Sequence, residues 1–214
     1  MHILIDEIYA GCFLSSDGAD KFVSGATLPM RGDVHIVWGL SKTFGISGFR
    51  VGFLYSQNTA LNAACANSAG LTTVPNVTQV VLTTLFNDHP FVDSYVSTCN
   101  AYLSENCKTL LQNLEDMKLP YVKPDSCMFV WVDFRSLLQI QKGTTRGHCP
   151  STWQDERVLY KTILTEGKLL LTPGEAFNSP CPGFFRICYG TSSPAAINDG
   201  FDRLRKVVSE LSMS

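Results

Sequence analysis

Short apolar runs alternate with helical spacings through the first half of this 214-residue chain. His2 to Ile5 is one such run and ends on Asp6 and Glu7. Val34 to Trp38 is a second, followed at once by Gly39-Leu40-Ser41-Lys42, and Val51 to Tyr55 is a third. Continuous runs this short suit strands covered on both faces of a sheet. Residues 59–69 and 77–87 read as helices, separated by the loop residues Gly70 to Asn76. The strongest periodicity begins after Pro90. Val92, Tyr95, Val96, Cys99, Tyr102, Leu103, Leu110, Leu111 and Leu114 recur at three-and-four spacing, the mark of one face of a long amphipathic helix. Met128 to Phe134 predicts another strand, and residues 139–154 a polar loop. Ser193-Pro194 offers an N-cap with proline in the first turn, after which Ile197, Phe201, Leu204, Val208 and Leu211 line a C-terminal helix. The composite is α/β without internal repeats, dividing near Asp88-His89-Pro90 into residues 1–88 and 89–214.

Composition narrows the class. With 45% hydrophobic and 11% aromatic residues, the chain can build a core, and the composition argues against disorder. Seventeen Lys+Arg against nineteen Asp+Glu, with no basic block, argue against a nucleic-acid partner. No apolar run approaches the ~18 residues of a membrane span. The N-terminus lacks the layout of a signal peptide, so a soluble, cytoplasmic protein with no membrane partner is expected. The eight cysteines (12, 65, 99, 107, 127, 149, 181 and 188) form no Cys-x-x-Cys pair, and no histidine stands at zinc-like spacing. They are expected to be reduced, buried, small hydrophobes, with a disulfide framework as the second reading and no metal site. The histidines at 2, 35, 89 and 148 are expected to be satisfied structural or surface groups.

The chemistry centres on Gly39-Leu40-Ser41-Lys42-Thr43-Phe44-Gly45-Ile46-Ser47-Gly48-Phe49-Arg50-Val51-Gly52. A lysine at the exit of an apolar strand, flanked by glycines, is not placed like a solvated surface lysine. A partly desolvated amine suits a Schiff base, and glycines permit close backbone approach to a ligand. Arg50 could return to the same site as a phosphate anchor. Taken by itself, the segment also admits an ordinary strand-end lysine and a structural arginine.

Position by position, Gly39 to Gly52 resembles the lysine signature of the class I/II pyridoxal-phosphate-dependent aminotransferases. Asp6-Glu7-Ile8-Tyr9 resembles the family's Asp-x-x-Tyr at the end of an upstream strand. Leu171-Thr172-Pro173-Gly174-Glu175-Ala176-Phe177 is similar to its small-domain turn. Pro182-Gly183-Phe184-Phe185-Arg186-Ile187-Cys188-Tyr189 is similar to the strand bearing its carboxylate-binding arginine. The wording looks closest to the 1-aminocyclopropane-1-carboxylate synthase-like branch. The resemblance implies a fold-type-I α/β architecture, with part of the large-domain sheet in residues 1–88 and the small α/β domain in 89–214. It implies pyridoxal 5'-phosphate as cofactor, amino acid and 2-oxo acid as substrates, and a homodimer when the family's N-terminal half is present. Lys42 would then hold the cofactor as a Schiff base and act as base and acid at the substrate α-carbon. Asp6 would face the pyridine nitrogen, Tyr9 the ring's 3-oxygen and Arg50 the phosphate, while Arg186 would grip the substrate α-carboxylate. The bland alternatives are a turn-capping Asp6, a core aromatic at Tyr9 and a structural salt bridge at Arg186. Glu7, Ser47 and Trp131 are read as structural, and Thr72 to Asn76 resembles a loop that approaches the neighbouring subunit's phosphate.

Two departures stand out. The family often has a phosphate-binding serine where this chain has Gly39. The sequence also opens directly on the Asp-x-x-Tyr strand, so the family's N-terminal half, with its ring-stacking aromatic and much of the dimer interface, is expected to be absent. Three readings follow. The first is transamination of an amino acid to a 2-oxo acid, the second elimination of the 1-aminocyclopropane-1-carboxylate synthase type, and the third a truncated, inactive fragment.

Overall fold

The computed structural model describes residues 1–14, 22–29, 32–70, 72–141 and 151–213. They divide into two compact units, residues 1–101 with 125–127, and residues 102–124 with 128 onward. The helix that begins at His89, where the sequence divides, gives its first turns to one unit and the remainder to the other.

In the first unit β1 (Ile3–Asp6), β2 (Val34–Gly39) and β3 (Gly52–Ser56) form a sheet in the order β1-β2-β3. β1 runs parallel to β2 with Asp6 beside Val37, and β3 runs antiparallel with Gly52 beside Gly39. α1 (Leu40–Thr43) leaves β2 without a break, followed by α2 (Thr59–Ala69), α3 (Asn76–Asn87) and the start of α4 (His89–Asp116). α2 starts where the Asn58 side chain accepts the Leu61 N–H at 2.9 Å, satisfying one of the helix's unpaired donors. Leu40, Phe44, Val51 and Leu82 form the local core, with Trp38, Phe86 and Tyr95 packed against it. Phe44 meets Phe86 edge-on at 5.2 Å and lies parallel to Tyr95 at 5.8 Å, and the Tyr95 hydroxyl donates to the Phe44 carbonyl at 2.9 Å.

The expected cover on both faces holds for β2, where His35 and its neighbour Ile36 are both buried. It fails for β1 and β3, which are the edges of this sheet. Leu4 is 64% exposed and Tyr55 50%. His35 is satisfied on both ring nitrogens, by His2 at 2.9 Å and Ser56 at 2.7 Å.

The second unit holds β4 (Tyr121–Val122), β5 (Phe129–Asp133), β6 (Thr172–Pro173) and β7 (Phe184–Cys188), antiparallel throughout in the order β4-β5-β7-β6. Its helices are the rest of α4, α5 (Arg135–Gln141), α6 (Trp153–Thr165) and α7 (Pro194–Met213). The Ser193 hydroxyl accepts the Ala196 N–H at 3.3 Å, as an N-cap does. Val130 and Val132 of β5 and Phe185 and Ile187 of β7 are buried, whereas the residues between them are not. This period of two gives the sheet one core face and one half-covered face.

Three expectations need correction. Tyr102 stands one position off the buried stripe of α4 and is 63% exposed. Asn106 and Asn113 lie on that stripe instead, because their amides have partners. Asn106 donates to the Tyr189 and Ser192 carbonyls at 3.2 and 2.6 Å, and Asn113 donates to Asn198 at 2.8 Å. The stretch 139–154 begins inside α5 and ends inside α6, the latter started by a Thr152–Asp155 capping box. Residues 142–150, including His148 and Cys149, lie outside the described residues. All seven described cysteines are free, but only Cys12 and Cys107 are buried, and Cys65 and Cys188 are exposed.

At the end of β5, Asp133 accepts from Arg135 Nη2 at 2.6 Å and from its backbone N–H at 2.9 Å. Burial raises the Asp133 carboxyl, but these hydrogen bonds outweigh it and hold the group below its ordinary range. A depressed carboxylate contributes stability above its unfolded value of about 4 and loses it as pH falls through the folded value. The stability gap between wild type and Asp133→Asn should therefore narrow from pH 7 to pH 3 in urea titrations. A gap independent of pH would count against the pair.

Candidate active site

Register assembles the first group of residues. The C-terminal ends of β1 and β2 lie side by side, and antiparallel β3 begins at the same edge. Asp6 closes β1, Lys42 sits in the helical turn leaving β2, and Arg50 precedes β3. Ligands of α/β sheets bind at this end, beyond the carboxyl termini of parallel strands. The Lys42 Nζ stands 5.7 Å from the centroid of the Tyr9 ring. It has no hydrogen bond or salt bridge among the described residues. Asp6 is exposed, and its Oδ1 accepts the Ile8 N–H at 3.0 Å. It thus caps the turn while the rest of its carboxylate stays open to solvent. Arg50 adopts the left-handed conformation (φ 53°), and its Nη1 donates to the Ser47 carbonyl at 2.9 Å. That conformation closes the short 3-10 turn Ser47–Phe49, as a left-handed residue commonly does at a helix C-terminus.

Two side chains tie the Tyr9 turn to the Lys42 turn. The Ala10 carbonyl accepts from the Thr43 hydroxyl at 2.8 Å and from the Trp38 indole N–H at 3.3 Å. Thr43→Val keeps the shape and removes the shorter bond, and should lower stability by about 1 kcal/mol. Urea unfolding checks this, with Thr43→Ser expected to stay near wild type. At Gly39, where the family often has a serine, a side chain would be tightly packed. A Cβ there would stand 3.2 Å from both the Val51 carbonyl oxygen and Ile8 Cδ1. Glu7, read as structural, accepts from the Ser24 hydroxyl at 2.8 Å and the Gly25 N–H at 2.6 Å.

Arg186 belongs to the second unit. The period of two puts it on the half-covered face of β7, paired with Trp131 of β5 and Thr172 of β6. Its guanidinium lies between two rings, 4.1 Å from the Phe129 centroid and 4.6 Å from that of Phe177. Its Nε is buried without a hydrogen-bond partner, and no carboxylate among the described residues pairs with it. The salt-bridge alternative is therefore not what is seen. A buried N–H without an acceptor is costly, and a guanidinium plane held between aromatic faces is set to receive a carboxylate.

The sequence reading missed the Phe129–Phe177 sandwich, Thr43 and Glu156. Glu156 of α6 is fully buried and accepts the N–H of Glu175 at 3.0 Å and of Gly183 at 2.5 Å. The readable signal was a carboxylate in register with Leu159 and Ile163 on one helical stripe, following a Thr-x-x-Asp cap.

The profile of the aminotransferase class I and II family matches residues 1–204. The chain belongs to that family. It is 32% identical to 1-aminocyclopropane-1-carboxylate synthase 4 of Oryza sativa subsp. japonica, over 96% of this chain and 44% of the relative. It is 30% identical to 1-aminocyclopropane-1-carboxylate synthase 8 of Arabidopsis thaliana, over 97% of this chain and again 44% of the relative. The chain thus spans less than half the length of these relatives. Among solved structures, an aromatic aminotransferase from Pyrococcus horikoshii superposes with a TM-score of 0.81 at 22% identity, covering 100% of this chain and 52% of that one. The aspartate aminotransferase of Thermus thermophilus with maleate gives 0.77 at 21% identity, covering 97% and 48%. These structures share the fold, which is fold-type-I α/β. The family's enzymes, the synthases included, depend on pyridoxal phosphate. The residues at the sheet edge fit that cofactor, offering an unpaired amine, a carboxylate open to solvent and a guanidinium.

No helix among the described residues is long and apolar enough to cross a membrane.

Proposed function

We propose that this chain supplies the lysine-bearing part of a pyridoxal-phosphate enzyme acting at the α-carbon of an amino acid, with transamination to a 2-oxo acid as its reaction. The observation that carries the reading is the gathering of Asp6, Tyr9, Lys42 and Arg50 at one edge of the first sheet. In this reading residues 1–88 belong to the cofactor-binding domain and 89–214 to the small domain. Pyridoxal phosphate, when bound, supplies an electron sink for bond breaking at the α-carbon. Lys42 holds the cofactor through Nζ and, when released, takes and returns the proton at the substrate α-carbon. The Asp6 carboxylate keeps the pyridine nitrogen protonated, the Tyr9 hydroxyl bonds the ring oxygen, and Arg50 pairs with the phosphate. Arg186 orients the substrate through its α-carboxylate, so that the reacting bond is presented in one geometry.

The synthases among its relatives favour a second reading, elimination with ring closure. Incubation of the chain with pyridoxal phosphate, borohydride reduction and peptide mapping test the shared part. Pyridoxyl label concentrated on the Lys42 peptide supports the reading. Label scattered over surface lysines, or none, overturns it for the chain alone and leaves the inactive-fragment reading. Amino transfer to a 2-oxo acid, assayed beside cyclopropane formation from S-adenosylmethionine, separates the two reactions.

A further inference from the structure

Glu156 is the only buried Asp, Glu, Lys or Arg side chain among the described residues, and no salt bridge among them reaches it. Each carboxylate oxygen instead accepts one backbone N–H, Oε1 from Glu175 and Oε2 from Gly183. Burying a carboxylate outside any salt bridge adds little to stability, since well-packed apolar side chains usually serve better. What the charge can do is hold two backbone segments in one relative position. Those segments lead directly to the Arg186 site. Two residues beyond Glu175 stands Phe177, one of the rings on the guanidinium, and three beyond Gly183 stands Arg186 itself.

We infer that Glu156 is the positioning residue of Arg186, its two carboxylate oxygens fixing the 174–177 turn against the start of β7 so that the guanidinium stays between Phe129 and Phe177. The inference rests on the reading of Arg186 as a carboxylate grip. Glutamine at this position keeps size and shape but offers only one acceptor oxygen, and its NH2 faces an N–H. One segment is then released, the stack on Arg186 loosens, and the fork no longer holds a fixed orientation.

The test uses the full chain labelled with nitrogen-15, reading the Nε–Hε cross-peak of Arg186, assigned by its loss in Arg186→Lys. Glu156→Gln should shift or broaden this peak and weaken propionate binding, followed on the same peak, by about tenfold. Arg157→Ala removes the exposed ion pair between Arg157 and Glu175 while leaving both Glu156 hydrogen bonds in place, and should leave both readouts within about twofold of wild type. Glu156→Asp retains the charge with shorter reach, should give an intermediate effect, and carries the comparison should the glutamine variant not fold. A Glu156→Gln chain with a lower urea midpoint but an unchanged Arg186 peak and propionate titration overturns the inference and leaves Glu156 a structural residue. A peak that shifts in Glu156→Gln, together with a wild type that binds no propionate, upholds the positioning role and removes the carboxylate-grip reading instead.

Discussion

Lys42→Ala is expected to leave a folded chain that retains no borohydride-fixed pyridoxyl group and no visible absorbance from bound pyridoxal phosphate. The loss should be complete, because a Schiff base needs a primary amine and Lys42 is the lysine that the described residues place at this sheet edge. The cost to stability should be small. Lys42 is half-buried, makes no hydrogen bond or salt bridge among the described residues, and contacts the Tyr9 ring at 5.7 Å. A half-exposed cation at this distance from a ring contributes about 0.5–1 kcal/mol. Circular dichroism with urea titration gives the fold, and absorbance with mass spectrometry gives the cofactor. Undiminished label in Lys42→Ala would place the cofactor elsewhere and remove the central residue of the proposed site.

Gly183→Ala should show the largest loss of stability. Gly183 has φ +102°, where an L side chain is strained. A Cβ would stand 2.6 Å from Arg135 Cγ, 3.0 Å from Leu138 Cδ1 and 3.3 Å from Arg135 Cα. Arg135 Cγ can swing away, but Leu138 is fully buried and the Arg135 backbone opens α5. The segment cannot shift to relieve the clash either. The Gly183 N–H is held by Glu156, and its carbonyl accepts the Phe134 N–H at 2.7 Å. The left-handed penalty of about 1–2 kcal/mol and the overpacking cost of about 1–3 kcal/mol together predict roughly 2–5 kcal/mol. Gly48→Ala is the control, since a Cβ there meets nothing within 4 Å. Equal urea midpoints for the two variants would mean that Gly183 does not occupy this conformation. Because Gly183 leads into β7, Gly183→Ala should also disturb the Arg186 cross-peak, and the two effects should appear together.

Much of the fold was legible in the sequence, because it rests on local periodicity. The apolar runs at residues 2–5, 34–38 and 51–55 became β1, β2 and β3 within one or two residues. The three-and-four spacing after Pro90 became a helix of 28 residues. The failures share a cause. A run of apolar residues records that a strand is apolar and says nothing of whether a neighbouring strand lies beside it, so β1 and β3 were misread as covered. Tyr102 and Asn106 differ by four positions on one helix, and the buried one is the residue whose amide meets the Tyr189 and Ser192 carbonyls, 83 and 86 residues away. α6 was passed over because its stripe carries a glutamate, which reads as solvent-facing until its two backbone donors are known.

For the candidate site, the sequence by itself determined the inventory and its order, from Asp6 and Tyr9 through Lys42 and Arg50 to Arg186. The alternation in β7 that keeps Arg186 off the core face came from the structure. Only the tertiary structure decided that parallel pairing of β1 with β2 and antiparallel pairing of β3 bring Asp6, Lys42 and Arg50 to one edge. Only it decided that Arg186 lies between two rings without a carboxylate, and that Glu156 spans the Glu175 and Gly183 N–H groups. The physical reason is one of range. Helical and extended backbone conformation is set largely by neighbours a few residues apart, and the periodicity of the sequence displays it directly. Strand register, and the particular donor that meets a buried acceptor, depend on segments that approach only when the whole unit packs.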